Sequence, residues 1–236
     1  MGTVCKDLAL VTVLFDYPED YEPSFQKNAL KWFDPEDIYV ARFYNEIAGG
    51  YYDKLAYYKI KRLRDFISNN LLKYKYILFL DATDTNFVKE PTNIIDRYLS
   101  YGKNIVMCAE KNMWPITKYA SLYANKNIDC DFKYLNSGSY IGSVGAIYKH
   151  LDNILRSKYQ EGIDDQGHWT IEYLLHDDIC IDHLQKLFYS TFESKNGFEK
   201  IDGKVIFNRS DPFIIHDNGG HNELTVKLTE YINENS

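Results

Sequence analysis

Residues Leu8 to Phe15 form a nearly unbroken apolar run of strand length, rich in β-branched side chains and stopped by Asp16-Tyr17-Pro18. Such a run has no polar face to offer water, so it requires cover on both sides, as in the interior of a sheet flanked by helices. The rest of the first half repeats this alternation. A helical pattern over 24–33 leads to a strand at 38–43, and Ala48-Gly49-Gly50 precedes a long amphipathic run from Tyr52 to Leu72. In that run Leu55, Tyr58, Ile60, Leu63, Phe66 and Ile67 recur near helical spacing. A strand at 76–80, a helix near 91–100 and a strand at 104–109 continue the β-α-β rhythm of a mostly parallel sheet with right-handed crossovers. Beyond residue 110 the pattern loosens. Strand signals at 138–144, 178–182, 187–192, 204–207 and 212–216, with helix signals at 145–157, near 165–176 and from Leu224 to Ile232, predict a mixed sheet with inserted loops. The expectation is a single α/β domain over residues 1–236, with a mixed, mostly parallel central sheet flanked by helices.

Several strands end in residues that carry chemistry. Tyr76 to Leu80 runs into Asp81 and Asp84, two carboxylates three positions apart, and Pro212 to Ile215 runs into His216. Ligands of open α/β sheets bind outside the carboxyl ends of strands, and hard dications such as Mg²⁺ or Mn²⁺ take carboxylate oxygens there. Taken alone, each signal has a plainer reading: an Asp after a strand caps a turn or helix, and a single His is usually a hydrogen-bonded residue. Three further segments have the same double character. His216-Asp217-Asn218-Gly219-Gly220-His221 is either an anion-binding nest or an ordinary glycine turn. Tyr134 to Gly142 interleaves small and polar residues, which suits close approach of a hydroxyl-rich ligand and equally a tight β-turn. Asp164-Asp165-Gln166 follows Gly162-Ile163, where adjacent acids complement a helix dipole or serve a reaction.

Charge and cysteine usage narrow the class. A net charge of −7, from 34 acids against 27 Lys and Arg, argues against nucleic acid as a bulk electrostatic partner. The basic segment Lys59-Ile60-Lys61-Arg62-Leu63-Arg64 reads as the solvated face of a helix. The 21 tyrosines suit half-buried packing more than ligand stacking. Cys5, Cys108, Cys130 and Cys180 form no C-x-x-C pair and read as reduced, mostly buried thiols. No basic leader or membrane-length apolar run precedes the first strand, so a cytoplasmic, soluble protein is expected, and Lys6 argues against myristoylation at Gly2.

Taken in order, these segments resemble the glycosyltransferase domain of the procollagen lysyl hydroxylases, a GT-A type, Rossmann-like fold. The matching stretches run from Leu10-Val11-Thr12-Val13 through Ala48-Gly49-Gly50, Phe79 to Asp84, Cys108-Ala109-Glu110 and Trp114-Pro115. They continue with Leu135 to Gly142, Asp164-Asp165-Gln166, Ile181-Asp182-His183 and Ile215 to Gly219. The resemblance implies metal-dependent transfer from a UDP-sugar, with residues 1–110 as a nucleotide-binding half and 111–236 as a sugar and acceptor half. Mn²⁺, or Mg²⁺, would fall to Asp81, Asp84 and His216. Thr12, Val13 and Thr83 would meet uridine or ribose, Asn218 and Gly219 the diphosphate, and Lys54 falls close to a family lysine. Glu110, Trp114, Asn136, Ser137 and Gly138 would line the sugar and acceptor side, with Asp164 and Asp165 as catalytic acids. The family's lysine beyond the H-x-N-G motif is replaced here by His221-Asn222.

The chemistry is consistent with that division. Breaking an anomeric C–O bond leaves negative charge on UDP, which a dication can stabilise, and positive charge on the sugar, which a carboxylate can face. The donor expected first is UDP-glucose and the partner a hydroxyl-bearing acceptor, glycan or protein, in a stand-alone viral or microbial enzyme. Two other classes remain open at this stage: a noncatalytic nucleotide-sugar-binding accessory domain, and a metal-dependent hydrolase or nucleotidyltransferase using the same acids.

Overall fold

The computed structural model describes residues 7–44, 54–70, 73–115, 117–126, 128–157, 163–192, 199–201, 204–207 and 210–218. Its centre is a sheet built from β1 (Leu8–Phe15), β2 (Ile38–Phe43), β3 (Tyr76–Leu80), β5 (Ile105–Glu110), β6 (Tyr134–Ser143) and β7 (Ile179–Ile181). The spatial order is β2-β1-β3-β6-β5-β7, and β6 alone of these six runs antiparallel to its neighbours. A second sheet joins β4 (Thr85–Phe87), β11 (Ile214–His216) and β8 (Phe188–Ser190) in the order β4-β11-β8. A short ribbon pairs β9 (Glu199–Ile201) with β10 (Lys204–Ile206).

The run that opens the sequence is β1, an interior strand buried on both faces as its composition requires. Strand alternation sends Ala9, Val11 and Val13 into one apolar layer and Leu8 and Leu10 into the other. On the first face, α2 (Ile60–Asn70) lays down Ile60, Leu63 and Ile67, and α5 (Val144–Arg156) lays down Val144, Ile147, Leu151 and Ile154. Each such side chain, fully buried, contributes about 1.5–3 kcal/mol. Ser143 starts α5 by accepting the Ala146 N–H at 3.3 Å, which satisfies one of the helix's free donors. Shorter helices α1 (Gln26–Ala29) and α3 (Ile94–Leu99) add Ala29, Ile94 and Tyr98 to the second layer, α4 (Ala120–Ala124) adds Tyr123 to the first, and α6 (Asp165–Leu175) lies beside α5.

The sequence expectations for β1, β2 and β3 match the strands found, while the predicted helices at 24–33 and 91–100 shrink to α1 and α3. The Tyr134–Gly142 segment is a central strand, which rules out the β-turn reading of its glycines. The closing helix expected at 224–232 lies outside the described residues. Cys108 is buried, whereas Cys130 and Cys180 are half-buried, and all three are free thiols. No helix among the described residues is long and apolar enough to cross a membrane.

Candidate active site

A cavity of about 790 Å³ opens at the carboxyl ends of β1 and β3. Its walls draw on both halves of the chain: Val13, Ala82 and Thr83 from the first, Trp114, Ser137 and Asp165 from the second. Thr12, one residue further back along β1 than Val13, is wholly buried and does not line it.

Two local irregularities build the floor. The register of β5 against β6 jumps from Met107↔Tyr140 to Cys108↔Asn136, so residues 137–139 have no partner on β5. Such bulges re-aim side chains, and this one presents Asn136, Ser137 and Gly138 to the cavity. The second device is β4. Its antiparallel pairing sets Thr85 opposite His216, and the Asp217 N–H donates to the Asp84 carbonyl at 2.7 Å. The Asp81 N–H in turn donates to the Gly138 carbonyl at 2.7 Å. By these contacts residues far apart in the chain converge.

Asp81, Asp84 and His216 each place a ligand-capable atom within 4.8 Å of the others. His216 is buried, with Nε2 3.3 Å from Asp84 Oδ2 and Nδ1 2.8 Å from Asn136 Oδ1. That Asn136 oxygen also accepts the Gly138 N–H at 2.9 Å, which fixes it as an acceptor. Nδ1 of His216 therefore carries the proton, and Nε2 is the nitrogen turned toward the acids. Asp84 Oδ1 is buried with no hydrogen-bond partner among the described residues. Two carboxylates, an oriented imidazole and an unpartnered carboxylate oxygen fit a hard-to-borderline dication.

Lys59 joins this group to the second acid pair. Its ammonium lies 2.9 Å from Asp81 Oδ1 and 2.8 Å from Asp165 Oδ2, and its side chain is 10% exposed. Burial works against the charge, but Asp165 and Asp81 overcome it and hold the pKa above that of a free lysine. The expectation that Lys59 belongs to a solvated helix face is thus corrected: residues Lys54–Lys59 form a π-helical turn ahead of α2, and that turn delivers Lys59 inward. Lys54 opens the same turn, and its side chain lies outside the described residues.

Around this centre burial raises the Asp81 pKa, opposed by Lys59. Burial works to raise Asp84, yet the charge and hydrogen bond of His216 together with the Lys59 charge outweigh it and leave that carboxyl below its usual value. For His216, burial lowers the pKa, but Asp84 together with Asp81 and Glu110 raises it, for a net rise. Glu110, at the end of β5, is pushed up by burial to about 7 despite hydrogen bonds to its carboxylate. Its Oε1 accepts from Gln166 Nε2 at 2.6 Å and its Oε2 from Asn218 Nδ2 at 2.9 Å.

The adjacent acids Asp164 and Asp165 separate in role. Asp164 caps α6, accepting the Gly167 N–H at 3.0 Å, while its other oxygen accepts from Trp114 Nε1 at 2.9 Å. Asp165 faces the cavity, bound by Lys59 and by the Ser137 hydroxyl at 3.0 Å. The Asn218 side chain is committed to Glu110, to the Ser190 hydroxyl at 2.8 Å and to the Phe192 N–H at 3.2 Å, while its residue still lines the cavity. Gly219, His221 and Asn222 lie outside the described residues. Asp182 does not reach the cavity; it accepts the backbone N–H groups of Lys186, Leu187 and Phe188 and so shapes the turn into β8. Gln166, Tyr17 and Phe192 line the site and escaped assignment from the sequence, as did Lys59. Only Gln166 carried a signal, its place directly after the two acids.

This sheet order with a cavity at the strand ends is a GT-A-like glycosyltransferase fold. A solved glycosyltransferase involved in the glycosylation of the major capsid of PBCV-1 superposes with a TM-score of 0.51 at 9% identity, covering 96% of this chain and 99% of that one. The chain belongs to the family described as PLOD GT domain, whose profile matches residues 40–236. It is also 25% identical over 161 residues to uncharacterized protein R699 of Acanthamoeba polyphaga mimivirus, covering 66% of this chain and 34% of that protein. The multifunctional procollagen lysine hydroxylase and glycosyltransferase LH3 of Homo sapiens is 27% identical over 161 residues, covering 61% of this chain and 20% of the human protein. The chain thus spans well under half the length of these relatives.

Proposed function

We propose that this glycosyltransferase domain moves a hexose from a UDP-sugar to a hydroxyl acceptor with a divalent metal, with UDP-glucose as the first donor to screen. The observation that carries the reading is the Asp81, Asp84 and His216 cluster, with its imidazole oriented by Asn136 and a buried Asp84 oxygen awaiting a partner. Mn²⁺ or Mg²⁺ held by these residues would offset the negative charge that builds on the departing diphosphate.

The remaining groups divide the work. Val13 and Thr83 form the wall suited to uridine and ribose, which supports residues 1–110 as the nucleotide-binding half. Asn218 and the adjoining Gly219 would sit by the diphosphate, with Asn218 braced for that position by Glu110 and Ser190. Trp114 is 48% exposed at the rim, a flat apolar surface for a sugar ring. Asp165 is the catalytic carboxylate in this reading: it faces the cavity and would oppose positive charge at the anomeric carbon or orient the acceptor hydroxyl. Asp164 acts as a positioning residue that sets the start of α6 and holds Trp114. Lys59 bridges Asp81 and Asp165 and offsets the repulsion between them before a donor enters.

The test is a thermal-stability titration with UDP, with and without Mn²⁺, in wild type and Asp84→Ala, followed by UDP release from UDP-glucose with and without an acceptor. Native-state binding raises the unfolding midpoint by mass action. A manganese-dependent rise lost in Asp84→Ala, with release that requires acceptor, supports the transferase. Release without acceptor would replace it with a hydrolase, and tight UDP binding without release with an accessory domain.

A further inference from the structure

A second group of ligand-capable side chains gathers at the end of α6 remote from the cavity. His150 comes from the buried face of α5, Glu172 from the last turn of α6, and His176 caps that helix. One ligand atom of each lies within 4.8 Å of the others. We propose that His150, Glu172 and His176 form a binding site for a zinc-class dication, distinct from the acid pair at the cavity.

The geometry supports this at three levels. His150 Nδ1 is 2.6 Å and His176 Nε2 3.4 Å from the same oxygen, Glu172 Oε2. Ligands of a tetrahedral zinc with bonds near 2.0–2.1 Å stand about 3.3 Å apart, so small side-chain rotations admit the ion. Glu172 and His176 are four residues apart and share one helix face. Two imidazoles and one carboxylate are a donor set that suits zinc and leaves a fourth position for water, whereas Mg²⁺ and Ca²⁺ prefer oxygen alone.

The surroundings are those of a supported site. His150 Nε2 lies 3.2 Å from both carboxylate oxygens of Asp178, which holds that proton in place and turns Nδ1 toward Glu172. A ligating histidine backed by a carboxylate is the common arrangement at metal centres. Asn153 Nδ2 reaches Glu172 Oε2 at 3.4 Å. The carbonyl end of α6 points at the cluster, and a helix C-terminus favours positive charge. His150 is wholly buried, while the His176 side chain is 36% exposed and gives the ion a way in.

The ion would tie α5, α6 and the turn before β7 together. Since α6 carries Asp165 at its other end, about 16 Å away for an 11-residue helix, the clamp would steady the helix without touching substrate.

The experiment is zinc titration of the full chain in the presence of Mn²⁺, in wild type, Asp84→Ala, His176→Ala and Glu172→Gln, read by bound zinc after dialysis and by thermal midpoint. Co²⁺ added in place of zinc reports tetrahedral nitrogen and oxygen ligation by its visible absorption. Asp84→Ala should take up one zinc with a raised midpoint, and wild type at least that one. His176→Ala and Glu172→Gln should bind at least tenfold more weakly and lose the rise, with His176→Ala keeping the metal-free midpoint. Equal affinity in wild type and His176→Ala, zinc uptake lost in Asp84→Ala, or no uptake in any of them would overturn the proposal and leave His150 as a charge bridge between Glu172 and Asp178.

Discussion

Gly138 lies so close to His216 that a β-carbon at position 138 would fall 2.1 Å from Cε1 of the imidazole. The ring and the bulge of β6 are therefore fitted to each other, and the ring has no room to yield because it is buried. Gly138→Ala should cost about 1–3 kcal/mol in denaturant unfolding, as overpacking does. It should also abolish the manganese-dependent stabilisation by UDP, since His216 must leave its place. An alanine variant with unchanged stability and unchanged response to Mn²⁺ would contradict this fit.

Lys59→Met leaves Asp81 and Asp165 facing each other without the ammonium that separates them. Removing one partner of a buried ion pair costs about 3–5 kcal/mol, and the lower end applies because Asp81 keeps some solvent. Added Mn²⁺ should recover part of the loss by supplying positive charge beside Asp81. Urea unfolding of wild type and variant, each with and without Mn²⁺, measures both effects.

Glu110 gives the metal-free protein a distinctive pH profile. Its carboxyl ionises at about 7 in the fold against an ordinary 4.5, so between those values the native state holds a proton that the unfolded chain has released. Stability from this group is present below pH 4.5, falls as pH rises, and is lost above 7, by about 3 kcal/mol in all. Glu110→Gln should flatten that slope. A further fall above pH 6.5, where the protonated His216, whose pKa is raised, starts to lose its stabilising charge, should survive in the variant. A wild-type curve that rises between pH 5 and 7 would refute the assignment.

Metal affinity should depend on pH in the opposite sense. A dication must displace the proton shared by His216 Nε2 and Asp84, so Mn²⁺ binding strengthens as pH rises through the raised His216 pKa and then levels off. Asn136→Ala removes the acceptor that fixes the ring's tautomer, and such outer partners are worth about 10–100-fold in affinity. Calorimetric titration with Mn²⁺ across pH, in buffers of different ionisation enthalpy, reads affinity and proton release together.

The elements most legible in the sequence were those whose residues answer to a single demand. Leu8 to Phe15 could be nothing but an interior strand, and the Ile60, Leu63, Ile67 spacing marked the helix over it. Asp81, Asp84 and His216 were named from strand ends and from the family resemblance. Their meeting was not visible, because it depends on β4, three residues whose pairing with β11 has no pattern of its own. Lys59 was hidden for a related reason. Its neighbours Lys61, Arg62 and Arg64 are half-buried on α2 and do not line the cavity, and the π-helical turn at Lys54–Lys59 rotates Lys59 inward. Adjacent Asp164 and Asp165 looked alike in the sequence, and the start of α6 between them gives one to the backbone and the other to the cavity.

The reversed strand β6 also dictates when this protein can exist as a sheet. As the chain leaves the ribosome, β2, β1 and β3 can pair with one another, but β3 and β5 are each other's neighbours only through β6, which ends at Ser143. Until then β3 exposes an unpaired edge of almost wholly apolar residues, the kind of edge that captures strands from other chains. A nascent or truncated chain stopping near residue 110 would carry that adhesive edge, so a glycosyltransferase of this design has its most vulnerable moment midway through synthesis.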